Sequence, residues 1–143
     1  MRRVVLAMVH HCKTEFLLQL RDFKPTILHP GRWGAISGSW EDGESSEEAM
    51  YRELWEELTF RPSHLKFVAT IPLLPDDASI DMYACPVEPV SMSITLREGQ
   101  EVGWFLAADI FAGELPSRKW NRRFPVTPNL RFLLSEFLAS DRS

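Results

Sequence analysis

Three glutamates, Glu53, Glu56 and Glu57, lie close together in the chain, and Glu44 precedes them by a short loop. If this segment is helical, a rotation of about 100° per residue places Glu56 and Glu57 within roughly 60° of Glu53. Carboxylates three and four residues apart repel one another and weaken an isolated helix. A divalent cation would relieve that repulsion, and Mg²⁺ or Mn²⁺ suits carboxylate oxygens, backbone carbonyls and water. The alternative is a solvated acidic face, as in most runs of charge.

The neighbouring residues favour a helix that is anchored to a core. Met50, Leu54 and Leu58 recur at every fourth position and form an apolar stripe beside the acidic one. Ser45 or Ser46 is a suitable N-cap, because a serine hydroxyl can accept a hydrogen bond from the first helical turn. The pattern therefore predicts a helix that begins at one of these serines and ends at about residue 58.

The residues before the helix add a second kind of chemistry. Gly38 and Gly43 bracket a short loop, and Arg52 lies on the predicted helix. An arginine can hold a carboxylate through two parallel hydrogen bonds, which fixes the orientation of that carboxylate. Arg52 is therefore a candidate for orienting one of the glutamates.

Gly38, Glu44 and the run RELWEE at residues 52–57 resemble the Nudix box, which reads glycine, five residues, glutamate, seven residues, then Arg-Glu-apolar-any-Glu-Glu. The box normally continues with a glycine, and Thr59 stands in that place here. We expect Thr59 to cost about 1 kcal/mol or to force another turn, because a β-branched residue resists the left-handed conformation. The usual Gly-Gly that opens the loop is Ser37-Gly38 in this chain.

The resemblance to the Nudix family implies an α/β fold, an α/β/α sandwich around a mixed β-sheet, in one domain that covers residues 1–143. It implies a divalent-metal-dependent, MutT-like pyrophosphohydrolase that cleaves a diphosphate linkage in a nucleoside triphosphate or related nucleoside-diphosphate compound. The similarity of residues 98–100 and 124–125 to MutT-type members favours a triphosphate. The alternatives are a hydrolase of nucleotide sugars or other nucleotide conjugates, and a non-catalytic module that senses a nucleotide.

The resemblance also implies particular roles for residues of this chain. The implied metal ligands are carboxylates and one backbone carbonyl: Glu53, Glu56, Glu57, Glu98, and the carbonyl of Ser37 or Gly38. Arg52 matches the orienting arginine of the active site, and Glu44 matches the supporting glutamate. Members of the family differ in the general base, and Glu53 and Glu98 are the catalytic candidates here, with Glu101 as a third.

The residues expected to contact the substrate are Arg21, Trp33, Gly38, Glu44 and Asn129. Arg21 and Lys24 could hold phosphates or be solvated loop charges. Trp33 could stack on a nucleobase or serve in packing. The basic run at residues 118–123, which contains Trp120, could contact an anion or a base, or be an ordinary exposed loop.

The remaining pattern predicts alternating strands and helices. Strands are expected at residues 4–10, 15–20, 65–71, 79–87, 91–96 and 102–106, and a short apolar segment that ends at a turn is expected at 33–37. A helical turn is expected at residues 107–112, a basic aromatic loop at 117–127, and a closing helix at 129–138. Prolines at 86 and 89 indicate that the strand at 79–87 ends at a sheet edge.

Composition limits the partners of the protein. The formal net charge of the 143 residues is −4, which argues against binding a nucleic-acid polymer or an anionic membrane. The apolar run at residues 4–9 is too short for a secretory signal, and no stretch reaches the length of a membrane span. Cys12 and Cys85 are expected to be free and buried in a cytoplasmic protein. The expected partner is a small nucleoside-diphosphate substrate, and homodimers are common in the family.

Overall fold

The computed structural model describes residues 2–73 and 77–140. The strands are β1 (Arg2–His11), β2 (Glu15–Leu20), β3 (Trp33–Gly34), β4 (Ile36–Ser39), β5 (Lys66–Leu73), β6 (Ala78–Pro86), β7 (Glu101–Leu106), β8 (Glu114–Ser117) and β9 (Arg122–Pro125). The helices are α1 (Ser46–Leu58), α2 (Ala107–Ala112) and α3 (Leu130–Ala139). None of the helices in the described ranges has the length and hydropathy that crossing a bilayer requires.

Strand β1 organises a mixed sheet in the order β3-β2-β1-β6-β5. It pairs in parallel with β6 along its whole length. On its other side it pairs antiparallel first with β4, at Val4–Ala7, and then with β2, at His10–His11. β7 adds to the outer edge of β2. The strand that precedes α1 is therefore fixed directly to the central strand of the sheet.

Successive side chains of β1 point to opposite faces of the sheet, and each face is covered by a helix. Val5, Ala7 and Val9 pack with the apolar stripe of α1 in one core. Leu6 and Met8 pack with α3 in the other. The result is the predicted α/β/α sandwich around a mixed sheet.

The strand predicted at residues 91–96 does not form. A short 3₁₀ turn, Pro89–Ser91, is followed by an irregular segment up to the start of β7. Met92, Ile94 and Leu96 pack against the core on the α1 side. The period-two alternation of this segment therefore reflects burial of every second side chain, without a strand ladder among the described residues.

The basic segment predicted as a loop at residues 117–127 is mostly a β-hairpin. Strands β8 and β9 pair antiparallel from Glu114↔Pro125 to Ser117↔Arg122. Asn121 closes the turn with a φ of 52°, a left-handed conformation that asparagine tolerates. Arg118, Lys119, Arg122 and Arg123 are exposed on this hairpin, and we name them the basic cluster.

Two further predictions were wrong. Strand β6 is not at the edge of the sheet but lies between β1 and β5, and Pro86 simply ends it. Cys85 is buried, as predicted, and burial raises the pKa of its thiol to about 12. Cys12 is exposed, because it lies in the turn between β1 and β2 with a φ of 52°. Both thiols are free.

Candidate active site

Helix α1 begins where the sequence places its cap. The Ser45 hydroxyl accepts a hydrogen bond from the Glu48 backbone N–H at 3.1 Å, and the Glu48 carboxylate accepts one from the Ser45 N–H at 2.8 Å. This reciprocal capping box satisfies backbone donors that the first helical turn leaves unpaired. The helix ends at Thr59, which adopts the left-handed conformation itself, with φ 53° and ψ 42°. No alternative turn forms in place of the missing glycine.

The apolar stripe of α1 determines the depth of the glutamates. Met50, Leu54 and Leu58 are fully buried against the sheet. Glu53 and Glu57 are their neighbours on the helix surface, so they are carried inward to 9% and 5% exposure. Glu56 points outward and is exposed. We name Glu44, Glu53, Glu56 and Glu57 the acidic cluster.

Arg52 is the positive centre of the acidic cluster. Its Nε and Nη2 donate to the two carboxylate oxygens of Glu44, at 3.0 and 2.7 Å. Its Nη1 donates to Glu53 Oε1 and Glu56 Oε2, both at 3.0 Å, and its Nη2 also reaches the Ser39 carbonyl at 2.9 Å. The guanidinium holds the pKa of Glu44 below its usual value. Arg52 therefore links the loop before α1 to two of the helix carboxylates.

Gly38 makes room for the Glu53 carboxyl. A Cβ atom added at Gly38 would overlap all three terminal atoms of that carboxyl group. Burial raises the pKa of Glu53, and the nearby Arg52 opposes the rise. The close approach of a bare backbone explains why a glycine, rather than any small residue, stands at this position.

Glu57 has a carboxylate oxygen without a partner. Its Oε2 is buried and accepts no hydrogen bond from any described residue. The pKa of Glu57 is raised to about 9, chiefly by burial and in addition by the neighbouring Glu53 and Glu98 carboxylates. A buried polar atom without a partner costs free energy, so this oxygen is suited to a ligand that supplies positive charge.

Glu98 reaches the same site from a different part of the chain. It lines one cavity, of about 600 Å³, together with Glu53, Glu56 and Glu57. Its charge raises the pKa of both Glu53 and Glu57, so the three carboxylates lie within electrostatic range of one another. Sequence separation of more than forty positions hides this proximity, which only the resemblance predicted.

Other predicted residues also line this cavity. Ser37 and Gly38 lie on β4 at its wall, and Arg21, Lys24 and Asn129 are further lining residues. Arg21 donates from Nε to the Leu28 carbonyl at 2.8 Å, and its charge lowers the pKa of Glu57. The roles of these residues toward a substrate stay predictions.

Two predicted roles are not compatible with the structure. Trp33 is fully buried and donates from its indole N–H to the Leu115 carbonyl at 3.2 Å, so its ring has no exposed face for a base. Glu101 accepts hydrogen bonds from the Ser117 hydroxyl at 2.6 Å and the Arg118 backbone N–H at 3.0 Å. These bonds give Glu101 a structural role instead of that of a base.

The sequence analysis missed Gln19 as a residue of the site. Gln19 donates to the Glu98 carbonyl at 2.6 Å, and Trp40 donates from its indole to the Glu44 carbonyl at 2.7 Å. The guanidinium of Arg3 lies 3.5 Å above the Trp40 ring. A polar residue within an apolar strand, as in the run FLLQL, was the available signal for Gln19.

The donor set fits a hard divalent cation, since it consists of carboxylate oxygens with one buried oxygen unpaired. In the described part of the chain, however, no three His, Cys, Asp or Glu side chains already form a metal-binding group. Arg52 Nη1 donates to both Glu53 Oε1 and Glu56 Oε2, so these two carboxylates are already engaged. Glu56 is exposed, so its rotation away from Arg52 would need no repacking of the core.

Comparison with known proteins places this site in context. Two curated relatives are RNA pyrophosphohydrolases, from Shewanella sp. (strain ANA-3), 40% identical over 75 residues, and from Shewanella piezotolerans, 50% identical over 38 residues. The first alignment covers 52% of this chain and 40% of the relative, and the second covers 27% and 22%. The chain thus spans less than half the length of the curated relatives that it matches.

Solved structures share the fold. A MutT NUDIX hydrolase from Burkholderia pseudomallei is 21% identical with a TM-score of 0.72, over 94% of this chain and 96% of that one. The NUDIX domain of Shewanella oneidensis NrtR, complexed with ADP ribose, is 18% identical with a TM-score of 0.71, over 96% and 86%. A family model described as the NUDIX domain matches residues 1–130. The chain therefore belongs to the NUDIX family.

Proposed function

We propose that this protein is a divalent-metal-dependent pyrophosphohydrolase that cleaves a diphosphate linkage in a nucleoside triphosphate or a related nucleoside-diphosphate compound. The observation that carries the proposal is the unpaired, buried Glu57 Oε2 beside Glu53 and Glu98 in one cavity. A folded protein tolerates this arrangement at low cost if the site receives positive charge. Mg²⁺ or Mn²⁺ is the expected cation.

Glu53, Glu56, Glu57 and Glu98 would hold the cation, together with the carbonyl of Ser37 or Gly38. When bound, such a cation neutralises phosphate charge, lowers the pKa of a bound water and stabilises the departing phosphate. The rest of the mechanism rests on the protein's own groups. Arg52 fixes the orientation of Glu53 through the 3.0 Å bond to Oε1, so the carboxylate is held in one position against Gly38.

A carboxylate of the site must accept the proton of the attacking water. Glu53 is one candidate, because its Oε2 is not engaged by Arg52 and its raised pKa brings it closer to neutrality. Glu98 is the other candidate, since it is exposed and lines the cavity. Comparison of Glu53→Gln with Glu98→Gln separates the two. Near-normal turnover by both variants at saturating Mg²⁺ would contradict both assignments.

The cavity has the composition expected for a nucleotide. Arg21 and Lys24 supply positive charge at the wall for phosphates, while an apolar part offers surface for a nucleoside. The apolar lining residues include Val4, Leu6, Leu73, Ala78, Ile80, Leu130 and Leu133. Asn129 adjoins this part and is the proposed polar contact to the base. The free thiols of Cys12 and Cys85 agree with the cytoplasm as the proposed compartment.

A second candidate substrate is the 5′-triphosphate end of RNA. The observation in its favour is the 40% identity to proteins named RNA pyrophosphohydrolases. The net charge of −4 favours the small-molecule substrate instead, because the protein has no surplus of cations for a polymer. A nucleotide conjugate is a third compound class to include in any assay.

The test is release of phosphate and pyrophosphate from a panel of nucleoside triphosphates, nucleotide conjugates and 5′-triphosphorylated RNA, with Mg²⁺ and with EDTA. We expect metal-dependent turnover that Glu56→Gln reduces strongly. Glu47→Gln is the matched control, because Glu47 lies exposed in the first turn of the same helix. Turnover that persists in EDTA, or no turnover on any compound by folded protein, would contradict the proposal.

A further inference from the structure

The segment that carries Glu98 is held by hydrogen bonds from outside itself. This segment, residues 97–100, lies before β7 and has no helix or strand of its own, and we name it the Glu98 segment. The Arg97 N–H donates to the Glu57 carbonyl at 2.8 Å, which ties the segment to the end of α1. Gln19 donates to the Glu98 carbonyl at 2.6 Å, which ties it to β2. The placement of the Glu98 carboxylate therefore depends on contacts made by its neighbours.

Gln100 is the next point of attachment. Its backbone N–H donates to the Leu20 carbonyl at 2.8 Å, and its side-chain Nε2 donates to the Arg21 carbonyl at 2.8 Å. Its side-chain Oε1 accepts a hydrogen bond of 2.6 Å from the indole N–H of Trp120. One glutamine thus joins three parts of the chain: the Glu98 segment, the start of the loop that carries Arg21, and the β8–β9 turn.

Trp120 is held in place from both sides. Its ring lies 5.2 Å from the ring of Phe23, which itself lies 5.6 Å from Phe124 on β9. Its backbone N–H donates to the Ser117 hydroxyl at 3.1 Å, and that hydroxyl donates to Glu101 at 2.6 Å. The hairpin therefore contacts Gln100 of the Glu98 segment and Glu101, the first residue of β7.

We propose that Trp120 is a positioning residue for the metal site, which acts through its hydrogen bond to Gln100 to hold Glu98 at the carboxylates of α1. The proposal rests on the proposed function, because it assigns Glu98 to the bound cation. The role differs from the contact with a base or an anion that the sequence suggested for this segment. Trp120 is 44% exposed, so its indole donor serves the Gln100 contact without being needed to fill the core.

The physical argument is one of preorganisation. An exposed carboxylate that must be ordered when a cation binds loses conformational freedom at that moment, which weakens binding. If the backbone on both sides of Glu98 is already fixed, less freedom remains to be lost. In Trp120→Phe the indole N–H is absent, so Gln100 Oε1 would bond to water and one attachment of the segment would be lost. The phenylalanine ring could still pack against Phe23.

The test is Mn²⁺ binding to the substrate-free protein, measured by calorimetry for wild type, Trp120→Phe and Lys119→Gln. We expect Trp120→Phe to bind Mn²⁺ about fivefold to tenfold more weakly, the effect of one lost hydrogen bond. Lys119→Gln changes the charge of the same turn and is expected to stay within about twofold of wild type. Melting temperatures of all three proteins establish that they are folded.

A double-mutant cycle with Gln100→Ala tests whether Trp120 acts through Gln100. We expect the double variant to bind Mn²⁺ no more weakly than Gln100→Ala alone, since the second change then removes nothing further. Full additivity of the two losses would overturn the proposal, as would Mn²⁺ affinity of Trp120→Phe within twofold of wild type. If Gln100→Ala does not fold, Gln100→Met replaces it in the cycle, because methionine has a similar length but offers no oxygen acceptor to the indole.

Failure of this proposal and failure of the proposed function give different results. Wild-type protein that binds Mn²⁺ but hydrolyses no compound would contradict the function alone. Wild-type protein that turns over substrate, with Trp120→Phe unchanged in both Mn²⁺ affinity and Mg²⁺ requirement, would contradict the positioning role alone. Absence of Mn²⁺ binding by wild type would overturn both.

Discussion

The acidic cluster on α1 and the basic cluster on the β8–β9 hairpin gather like charges in opposite ways. Three members of the acidic cluster, Glu44, Glu53 and Glu56, accept hydrogen bonds from one guanidinium, that of Arg52, while Glu53 and Glu57 are buried. In the basic cluster the cations are exposed and take separate partners: Arg123 lies 3.8 Å from Glu114, and Arg122 lies 4.3 Å from the ring of Phe124. Water screens exposed like charges, but buried ones require a counter-charge. The basic cluster is therefore an ordinary charged surface, whereas the acidic cluster still lacks part of the positive charge that its buried carboxylates require.

The largest expected difference between the clusters is in catalysis. Glu53→Gln should reduce kcat by about 10²-fold to 10⁴-fold, because it removes a ligand and a candidate base. Arg122→Gln removes one charge from the basic cluster and should leave kcat within about twofold of wild type. Steady-state rates at saturating Mg²⁺ measure both. Equal losses in the two variants would remove the distinction between the clusters.

The second expected difference concerns the arginine in each region. Arg52→Lys keeps the charge but cannot reproduce the contacts to Glu44, Glu53 and Glu56 together. We expect a loss on the order of 10²-fold in kcat/KM, because the carboxylates move relative to the substrate. Arg123→Lys, at the exposed contact with Glu114, is the control. Its activity and melting temperature should match those of the wild type.

The third difference is the dependence of stability on pH in EDTA. The pKa of Glu57 is about 9 in the folded protein, against an ordinary value of 4.5. The folded state thus binds this proton more tightly, so the contribution to stability is complete below pH 4.5 and is lost as pH rises toward 9. Between pH 5 and 8 the free energy of unfolding should fall by about 2 kcal/mol or more through this group.

Urea unfolding of wild type and Glu57→Gln across that range measures the effect. The glutamine variant should show a flatter profile and should be the more stable protein at pH 8. Parallel profiles for the two proteins would contradict the buried, proton-binding state of Glu57.

The smallest expected difference compares one left-handed turn residue from each region. Thr59 ends α1 with φ 53°, and Asn121 closes the hairpin with φ 52°. Thr59→Gly should stabilise the protein by about 0.5–1 kcal/mol, because it relieves the strain of a β-branched residue. Asn121→Gly should change stability by only a few tenths of a kcal/mol, roughly, because asparagine already tolerates this conformation. Thermal unfolding of both variants measures these changes. If Thr59→Gly is less stable than wild type, the 3.3 Å hydrogen bond from the Thr59 hydroxyl to the Thr95 carbonyl outweighs the backbone strain.

The sequence was informative where local rules govern the structure. The span and the apolar stripe of α1 follow from helix geometry alone, and the cap, Ser45, is one of the two serines that the sequence offered. The sandwich followed from the family resemblance and is confirmed by the two cores on either side of β1. These features depend on neighbours in the chain, which a single sequence displays.

The sequence was uninformative where the partner of a residue is distant in the chain. Nothing local distinguishes the buried Trp33 from an exposed tryptophan that could stack on a base, because its contact is the Leu115 carbonyl. Glu101 resembles Glu98 in sequence, yet Ser117 and Arg118 engage it in the folded protein. Residues 92–96 alternate like a strand but face a core instead of a ladder.

The parallel pairing of β1 with β6 determines when, during synthesis, the central sheet can be completed. Every partner pair in that ladder, from Arg2↔Ala78 to His10↔Pro86, is separated by 76 positions. Closing such a long loop is entropically unfavourable and slows folding relative to local contacts. During synthesis the β1–β6 ladder cannot be completed until residue 86 has left the ribosome. By then α1 and its carboxylates have already been synthesised. Until then the apolar face of α1 lacks part of the surface on which it packs, so the incomplete chain exposes apolar side chains of the kind that chaperones protect from aggregation.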